Sequence, residues 1–212
     1  MITVKTLVFN SFSVNTYIIS DETGDCIIID PGCESPAEQQ KLAGYIASAG
    51  LTPRALVNTH FHVDHILGNR FVADLYKLAP TAHPEGELLR STAREFGSIF
   101  GLNLTDVAIP EHFVNDGDTI KFGNSELEVL YTPGHADGSI CLVSHPERFV
   151  ISGDVLFYGS IGRTDLPTGD FDVLMNSIET KLFVLDNDYT VYPGHGPKTL
   201  IGYEKMNNPF IR

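Results

Sequence analysis

The sequence has few cysteines, few basic residues and no long apolar run. Its three cysteines, Cys26, Cys33 and Cys141, are odd in number and far apart, which argues against a disulfide framework. Its 14 lysines and arginines are outnumbered by 27 aspartates and glutamates, giving a formal net charge of −13. Nucleic acids and anionic membrane surfaces require clustered basic residues, so we expect neither as a partner. The apolar runs are also too short to span a membrane.

No charged and then apolar segment opens the chain, and no linker or low-complexity run divides it. Hydrophobic residues make up 42% and charged residues 19%, which is typical of a packed globular protein. We therefore expect a cytoplasmic protein with one domain over residues 1–212 and no obligate protein partner.

Apolar patterning predicts an alternation of strands and helices. Ser35, Pro36 and Glu38 match the start of a capped helix, and Phe71, Leu75 and Leu78 fit one face of the next. Strands are predicted at 2–9, 13–20, 26–29, 54–58, 80–83, 119–122, 126–131, 139–144, 149–152 and 188–192, and helices at 36–49, 69–78, 85–100, 171–182 and 198–206. Each half runs from strands to a helix, a strand and a polar loop. Two mixed sheets packed together, with helices outside, satisfy this order.

The segment from Thr59 to His65 holds three histidines and an aspartate within six residues. His60 and His62 are two apart, so both project to one side of an extended segment, and Asp64 and His65 follow at once. Imidazole nitrogen and carboxylate oxygen are ligands of zinc, iron and manganese. Such a concentration of donors indicates a metal site.

Three later stretches place a glycine directly before a metal-type side chain at a predicted strand end. They are Gly134-His135, Gly153-Asp154 and Gly194-His195. Glycine lets the backbone approach a crowded centre, and strand ends converge at one edge of a sheet. We therefore expect these three side chains to join the first cluster.

Seven donors suffice for two metal ions, since six make two sets of three and Asp154 is able to bridge. Two ions about 3.5–4 Å apart hold a hydroxide between them and polarise an electrophile. The expected cofactors are two divalent ions, with zinc favoured and iron or manganese as alternatives. His83, His112 and His145 lack neighbouring donors, so surface or supporting roles are expected for them.

The order HxHxDH, Gly-His, Gly-Asp, Gly-His over residues 60–195 resembles the metallo-β-lactamase superfamily. The resemblance implies an α/β (α+β) fold, a four-layer αββα sandwich of two mixed sheets with metals at one edge. It also implies the ligand sets and the catalytic carboxylates, Asp64 and Asp154. One metal is expected on His60, His62 and His135, the other on Asp64, His65 and His195, with Asp154 between them.

Further motifs resemble the glyoxalase II-like hydrolases, in the short form without a C-terminal helical domain. These motifs are Gly159 to Asp165 and Gly194 to Pro197, continuing to Asn208-Pro209-Phe210. The implied reaction is hydrolysis of a small-molecule thioester of hydroxyacyl-glutathione type. Since the basic residues of the helical domain have no counterpart here, Arg163 is the expected substrate contact. The alternative is an ion pair with Asp165 or Asp170 that only shapes the loop.

Other members of the superfamily are less similar. True β-lactamases usually lack an aspartate matching Asp154, which disfavours antibiotic hydrolysis. The persulfide dioxygenases share Gly-Arg-Thr-Asp and use a single iron, whose ligands match His60, His135 and Asp154. They are the alternative function. Asp30, at the end of a buried strand, is expected to be either an acceptor for a ligand histidine or an ordinary turn residue.

Overall fold

A computed structural model describes residues 1–99, 101–102, 104 and 106–211, and its first half forms a six-stranded mixed sheet. Its strands lie in chain order across the sheet: β1 (Thr3–Phe9), β2 (Val14–Ser20), β3 (Asp25–Ile29), β4 (Thr52–Val57), β5 (Pro80–Ala82) and β6 (His112–Phe113). The first three strands are antiparallel, and β3 to β6 pair in parallel.

A second six-stranded sheet has the order β14-β13-β10-β9-β8-β7, in which only β10 and β13 pair in parallel. Its strands are β7 (Thr119–Phe122), β8 (Ser125–Tyr131), β9 (Ile140–Ser144), β10 (Phe149–Gly153), β13 (Thr190–Pro193) and β14 (Thr199–Leu200). Between β10 and β13, a small hairpin of β11 (Leu156–Phe157) and β12 (Ser160–Ile161) stands apart from both sheets.

Helices cover the outer faces of both sheets. They are α1 (Pro36–Ser48), α2 (Val63–Ile66), α3 (Asn69–Tyr76), α4 (Glu87–Ile99), α5 (Phe171–Ser177), which continues as a π-helix over Ile178–Leu182, and α6 (Ile201–Asn207). None of the helices in the described ranges has the length and apolar character needed to cross a membrane.

The continuous apolar run of β3 is explained by burial on both faces. Ile27 and Ile29 pack in the core between the two sheets, whereas Cys26 and Ile28 belong to a second core with Leu42 of α1. On the far side, the outer face of the second sheet packs against α5 and the π-helix. The result is the αββα layering expected from the sequence.

Asp21 ties the two sheets together at the end of β2. Its carboxylate accepts hydrogen bonds from Thr23 Oγ1 at 2.5 Å, Asn124 N at 2.7 Å and Ser125 Oγ at 3.0 Å, the last two from the β7–β8 turn. Burial acts to raise the pKa of Asp21, but these hydrogen bonds lower it to about 2. The carboxylate therefore stabilises the contact between the sheets when it is ionised.

The predicted start of α1 is confirmed, because Ser35 and Glu38 form a reciprocal capping box. The predicted face of α3 is wrong in part: Leu75 is 48% exposed, and the helix ends before Leu78 because Lys77 adopts a left-handed φ of 58°. The predicted helix over 85–100 begins with a 3₁₀ turn, and its last residue, Phe100, lies outside the described residues.

The predicted closing helix over 198–206 begins later than expected, at Ile201. Thr199 and Leu200 instead pair with β13 as a short edge strand. The β11–β12 hairpin was not predicted either, because two-residue strands are too short to show an alternating pattern.

Backbone hydrogen bonds bring four segment ends together at one edge of the sandwich. Ile140 N donates to the Thr59 carbonyl at 2.9 Å, joining the end of β4 to the start of β9. Gly194 N donates to the Gly153 carbonyl at 2.8 Å, joining the ends of β13 and β10. Because His60, Asp154 and His195 directly follow three of these segment ends and His135 lies shortly before the start of β9, their side chains meet at this edge.

Candidate metal centre

Three histidines from two segments form the first set of donors. His62 Nδ1 lies 3.1 Å from His60 Nε2 and 2.8 Å from His135 Nε2. His135 Nδ1 donates to the carbonyl oxygen of Arg163 at 2.8 Å, so His135 Nε2 carries a lone pair directed at the other two rings. The three nitrogen atoms are close enough to share one cation.

Asp64, His65 and His195 form the second set. Asp64 Oδ2 lies 3.1 Å from His195 Nε2 and 3.7 Å from His65 Nε2. The other ring nitrogen of each histidine is engaged outside the set: His195 Nδ1 donates to the Phe12 carbonyl and His65 Nδ1 to Asp30 Oδ2, both at 2.9 Å. Both Nε2 atoms therefore face inward, toward the carboxylates of Asp64 and Asp154.

Asp154 lies between the two sets. Its Oδ1 is 3.4 Å from His65 Nε2, and its Oδ2 is 3.6 Å from both His135 Nε2 and His195 Nε2. One carboxylate oxygen thus approaches the second set, and the other approaches both. This is the placement that a bridging ligand requires.

Two polar atoms at this point are buried and have no hydrogen-bond partner among the described residues. They are His65 Nε2 and Asp154 Oδ1, which face each other across the centre. An unsatisfied buried nitrogen or carboxylate oxygen costs about 1–3 kcal/mol or more. A divalent cation satisfies both atoms at once, and imidazole and carboxylate are the donors that such cations accept. The residues present therefore fit a metal centre.

The electrostatic environment keeps the first set neutral. Burial, reinforced by neighbouring imidazoles, lowers the pKa of His60 and His135 below the usual value and that of His62 to about 3. Burial acts in the same direction on His65, but Asp154, Asp64 and Asp30 together raise its pKa well above the usual value. Neutral imidazoles are the form that binds metals.

Asp30 connects the fold to the centre. It is 1% exposed and accepts three hydrogen bonds: from Thr59 N at 2.8 Å, Thr59 Oγ1 at 2.5 Å and His65 Nδ1 at 2.9 Å. Of the two roles considered for it, the structure shows the acceptor for a ligand histidine. Asp30 also has a left-handed φ of 49°, a conformation that aspartate and asparagine tolerate better than most residues.

Glycine is required where the backbone approaches the centre. A Cβ on Gly194 would lie 2.0 Å from Asp154 Oδ1. At Gly134, φ is +119°, and a Cβ there would lie 2.2 Å from the backbone nitrogen of Leu174. The predicted approach of the backbone to a crowded centre is confirmed at Gly194, whereas glycine at position 134 is required by its positive φ and by packing against α5.

A cavity of about 350 Å³ opens onto both sets of donors. Five of its lining residues are predicted metal ligands, five are apolar, and the last is Arg163: Phe12, His62, Val63, Asp64, Phe96, His135, Asp154, Phe157, Arg163, Leu166 and His195. The described lining therefore contains no serine, threonine, cysteine, lysine or tyrosine.

Arg163 lies at the mouth of this cavity, with its side chain 58% exposed. Its guanidinium donates to Asp165 from Nε at 2.7 Å and from Nη2 at 2.8 Å. The structure is compatible with both roles of Arg163. The loop-shaping ion pair with Asp165 is present, and the side chain also borders the cavity, where it would contact a substrate. Its carbonyl oxygen, which accepts from His135, has a supporting role that the sequence did not indicate.

The remaining histidines lie outside the centre. His83 is buried and stacks on Tyr131, with ring centroids 4.1 Å apart. His145 is half-exposed and pairs with Glu128 at 2.6 Å, and His112 is exposed in β6. None of the three lines the cavity.

With this fold and this edge of donors, the chain belongs to the metallo-β-lactamase superfamily, whose family model matches residues 10–195. Among curated proteins, it is 34% identical to a hydroxyacylglutathione hydrolase, GloC, of Haemophilus influenzae. That match covers 98% of this chain and 97% of the relative. It is 37% identical to the probable metallo-hydrolase YqgX of Bacillus subtilis, over 92% of this chain and 90% of the relative.

Solved structures with the same fold are found over nearly the whole chain. The di-iron-bound form of TTHA1623 has a TM-score of 0.88 and 32% identity, covering 98% of this chain and 100% of the other. The B3 metallo-β-lactamase BLEG-1 also has a TM-score of 0.88 and 32% identity, with 99% of both chains covered. ETHE1 from Myxococcus xanthus has a TM-score of 0.78 and 28% identity, covering 98% and 83%.

Proposed function

We propose that this protein is a binuclear metal-dependent hydrolase that cleaves a small-molecule thioester of hydroxyacyl-glutathione type. One observation carries the proposal: seven metal-type donors cluster at one edge of the fold, and the cavity that five of them line has no serine, threonine, cysteine, lysine or tyrosine in its described lining. Water is then the attacking group. The name of the Haemophilus influenzae relative supports the substrate class.

We propose that the site binds two divalent cations, with zinc or iron preferred. The di-iron-bound form of TTHA1623 supports the number of two. His60, His62 and His135 would hold one cation, Asp64, His65 and His195 the other, with Asp154 shared. When bound, such a pair lowers the pKa of a coordinated water and polarises a carbonyl.

The protein's own residues contribute orientation. Asp30 and the carbonyl groups of Phe12 and Arg163 each accept a hydrogen bond from the outer nitrogen of a ligand histidine. These bonds hold the Nδ1 protons of His65, His135 and His195 away from the centre, so each Nε2 stays available. A thiolate leaves readily because the pKa of a thiol is about 8.5, so no strong side-chain acid is needed.

The experiment is hydrolysis by the purified protein, loaded separately with zinc, iron or manganese and followed by release of free thiol. S-lactoylglutathione is the test substrate, and a β-lactam is the comparison. We expect thiol release that depends on metal and is lost on chelation. Hydrolysis of the β-lactam without hydrolysis of any thioester would refute the proposal.

A mononuclear persulfide dioxygenase is the second candidate. His60, His135 and Asp154, the ligands that the resemblance assigns to its iron, are present in the cluster, and the similarity to ETHE1 favours testing it. Consumption of oxygen with glutathione persulfide, at one iron per chain and without thioester hydrolysis, would establish this function instead.

A further inference from the structure

The cavity is lined by two chemically different kinds of side chain. One kind is the metal-type donors; the other, which we call the apolar wall, consists of Phe12, Val63, Phe96, Phe157 and Leu166. Phe12 comes from the β1–β2 turn, Phe96 from α4, Phe157 from β11 and Leu166 from the following loop. Four separate segments thus contribute large apolar side chains to one small space. An apolar wall beside the donors favours a substrate part that is itself apolar.

This apolar wall lies next to the metal-type donors and is held there. The Phe157 ring lies 6.4 Å from the His195 ring, measured between centroids. The Phe12 carbonyl accepts from His195 at 2.9 Å, and the Arg163 carbonyl, three residues before Leu166, accepts from His135 at 2.8 Å. The donors and the apolar side chains therefore keep a fixed relation.

Val63 is held in the same way, since it lies between the donors His62 and Asp64. A Cβ on Gly97 of α4 would lie 3.1 Å from Val63 Cγ2, so α4 packs closely on this residue and places Phe96 beside it. The apolar wall therefore begins within one residue of two donors.

The positively charged side chain of the cavity lining is placed differently from the apolar ones. Among the described lining residues, Arg163 is the only lysine or arginine, and it lies exposed at the mouth, where Asp165 accepts two hydrogen bonds from its guanidinium. Apolar side chains thus lie beside the donors, and the one lysine or arginine of the described lining is exposed, where the thiol carrier of a substrate would extend.

We propose that the interior of this cavity holds the acyl half of the thioester and selects apolar acyl groups, such as hexanoyl or phenylacetyl, over lactoyl. The inference rests on the proposed hydrolysis of a glutathione thioester and replaces the hydroxyacyl group of that proposal by an apolar acyl group. The cavity volume of about 350 Å³ falls in the range of about 300–1,000 Å³ typical of sites for much larger groups than lactoyl. A lactoyl hydroxyl would also lose water on entering beside phenylalanine rings.

The test is a series of glutathione thioesters that differ only in the acyl group: lactoyl, acetyl, butyryl, hexanoyl and phenylacetyl. Each methylene transferred from water to an apolar site favours binding by about fourfold. We therefore expect kcat/KM to rise by roughly that factor per methylene from acetyl to hexanoyl, with lactoyl near acetyl. Calorimetry gives an independent readout, in which hexanoate binds more tightly than acetate and with a more negative heat-capacity change.

Two variants locate the selectivity. Phe157→Ala and, independently, Leu166→Ala should each lower the ratio of kcat/KM for hexanoyl-glutathione to that for acetyl-glutathione by about tenfold, because only the longer chain reaches the removed atoms. Phe113→Ala removes a 54% exposed ring in β6, outside the cavity, and should leave the whole series unchanged.

The possible failures are distinguishable. If no thioester in the series is hydrolysed, the proposed function is wrong. If thioesters are hydrolysed but lactoyl is the best substrate, or if the rate is independent of chain length, the proposed function stands and the acyl selectivity is refuted. Equal losses on acetyl and hexanoyl substrates in both variants would likewise refute selection by this wall.

Discussion

Replacing Asp30 by asparagine is the sharpest test of how the fold supports the metal centre. The Asp30 carboxylate receives three hydrogen bonds, two from Thr59 and one from His65 Nδ1. Asparagine keeps the size of the side chain and tolerates the left-handed φ of 49°, so the backbone is not disturbed. The substitution changes one acceptor oxygen into a donor group.

Neither orientation of the new amide satisfies all three donors. If the NH₂ group replaces Oδ1, it faces Thr59 N, a backbone donor that cannot turn away. If it replaces Oδ2, it faces Thr59 Oγ1 and His65 Nδ1, and His65 must move its proton to Nε2, where that nitrogen can no longer bind a metal. Loss of one hydrogen bond to a charged group corresponds to about 1.5–3 kcal/mol.

We therefore expect the Asp30→Asn protein to fold with a free energy of unfolding lower by about 1.5–3 kcal/mol, measured by urea denaturation of the metal-free form. Its affinity for the metal at His65 should fall by about 10–100-fold, measured by competition with a chelator. Asp188→Asn is the control, since Asp188 is 60% exposed and pairs only with a surface arginine in the described structure. Unchanged stability and metal affinity in Asp30→Asn would refute the reasoning.

Four further outcomes follow from the structure. Elemental analysis of the metal-saturated and desalted protein should give about two ions per chain, and a firm value near one would contradict the shared role of Asp154. Asp154→Ala should lower metal content and reduce hydrolysis by orders of magnitude in a folded protein, whereas His145→Ala, on the surface, should keep full activity. Arg163→Ala should raise KM for a glutathione thioester by roughly tenfold but leave an uncharged thioester nearly unaffected; equal losses on both would mark the residue as structural. Because the folded-state pKa of Asp21 is lowered to about 2, its stabilisation is complete above pH about 4 and is lost as the pH falls toward 2. In Asp21→Asn, the free energy of unfolding should fall less steeply between pH about 4 and 2 than in the wild type. An unchanged pH dependence would show that other groups cause the loss of stability.

The donors could be located from the sequence because their positions depend on local geometry. His60 and His62 share one side of an extended segment, and a glycine precedes His135 and His195 where the backbone is crowded. Asp30 was identified as a possible acceptor because it ends a strand that is buried on both faces. The capping box of α1 is local as well. For the His60–His62 pair and the capping box the decisive neighbours lie within a few residues in the chain, whereas the partners of Asp30 and the atoms that crowd Gly134 and Gly194 come from distant segments.

The apolar wall could not be predicted in this way. Phe12, Phe96, Phe157 and Leu166 come from four segments whose approach is determined by the packed sheets and by α4, and no spacing in the chain connects them. The carbonyl acceptors of the ligand histidines leave no signal either, since every residue has a carbonyl group. Leu75 illustrates the opposite error: it fits an apolar stripe, but its side chain is 48% exposed.

The use of main-chain carbonyls at Phe12 and Arg163 has a consequence for how this site is able to diversify. The two loops orient His195 and His135 through main-chain carbonyl groups, which any amino acid supplies. The side chains of the loop residues therefore do not determine this orientation. Substitutions in these loops, within the limits of their backbone conformation, can therefore reshape the entrance and the apolar wall without altering the centre. Under the proposed function, the donors carry catalysis and these loop side chains carry selectivity, so exchanging only these two loops between relatives should change substrate preference while metal binding is retained.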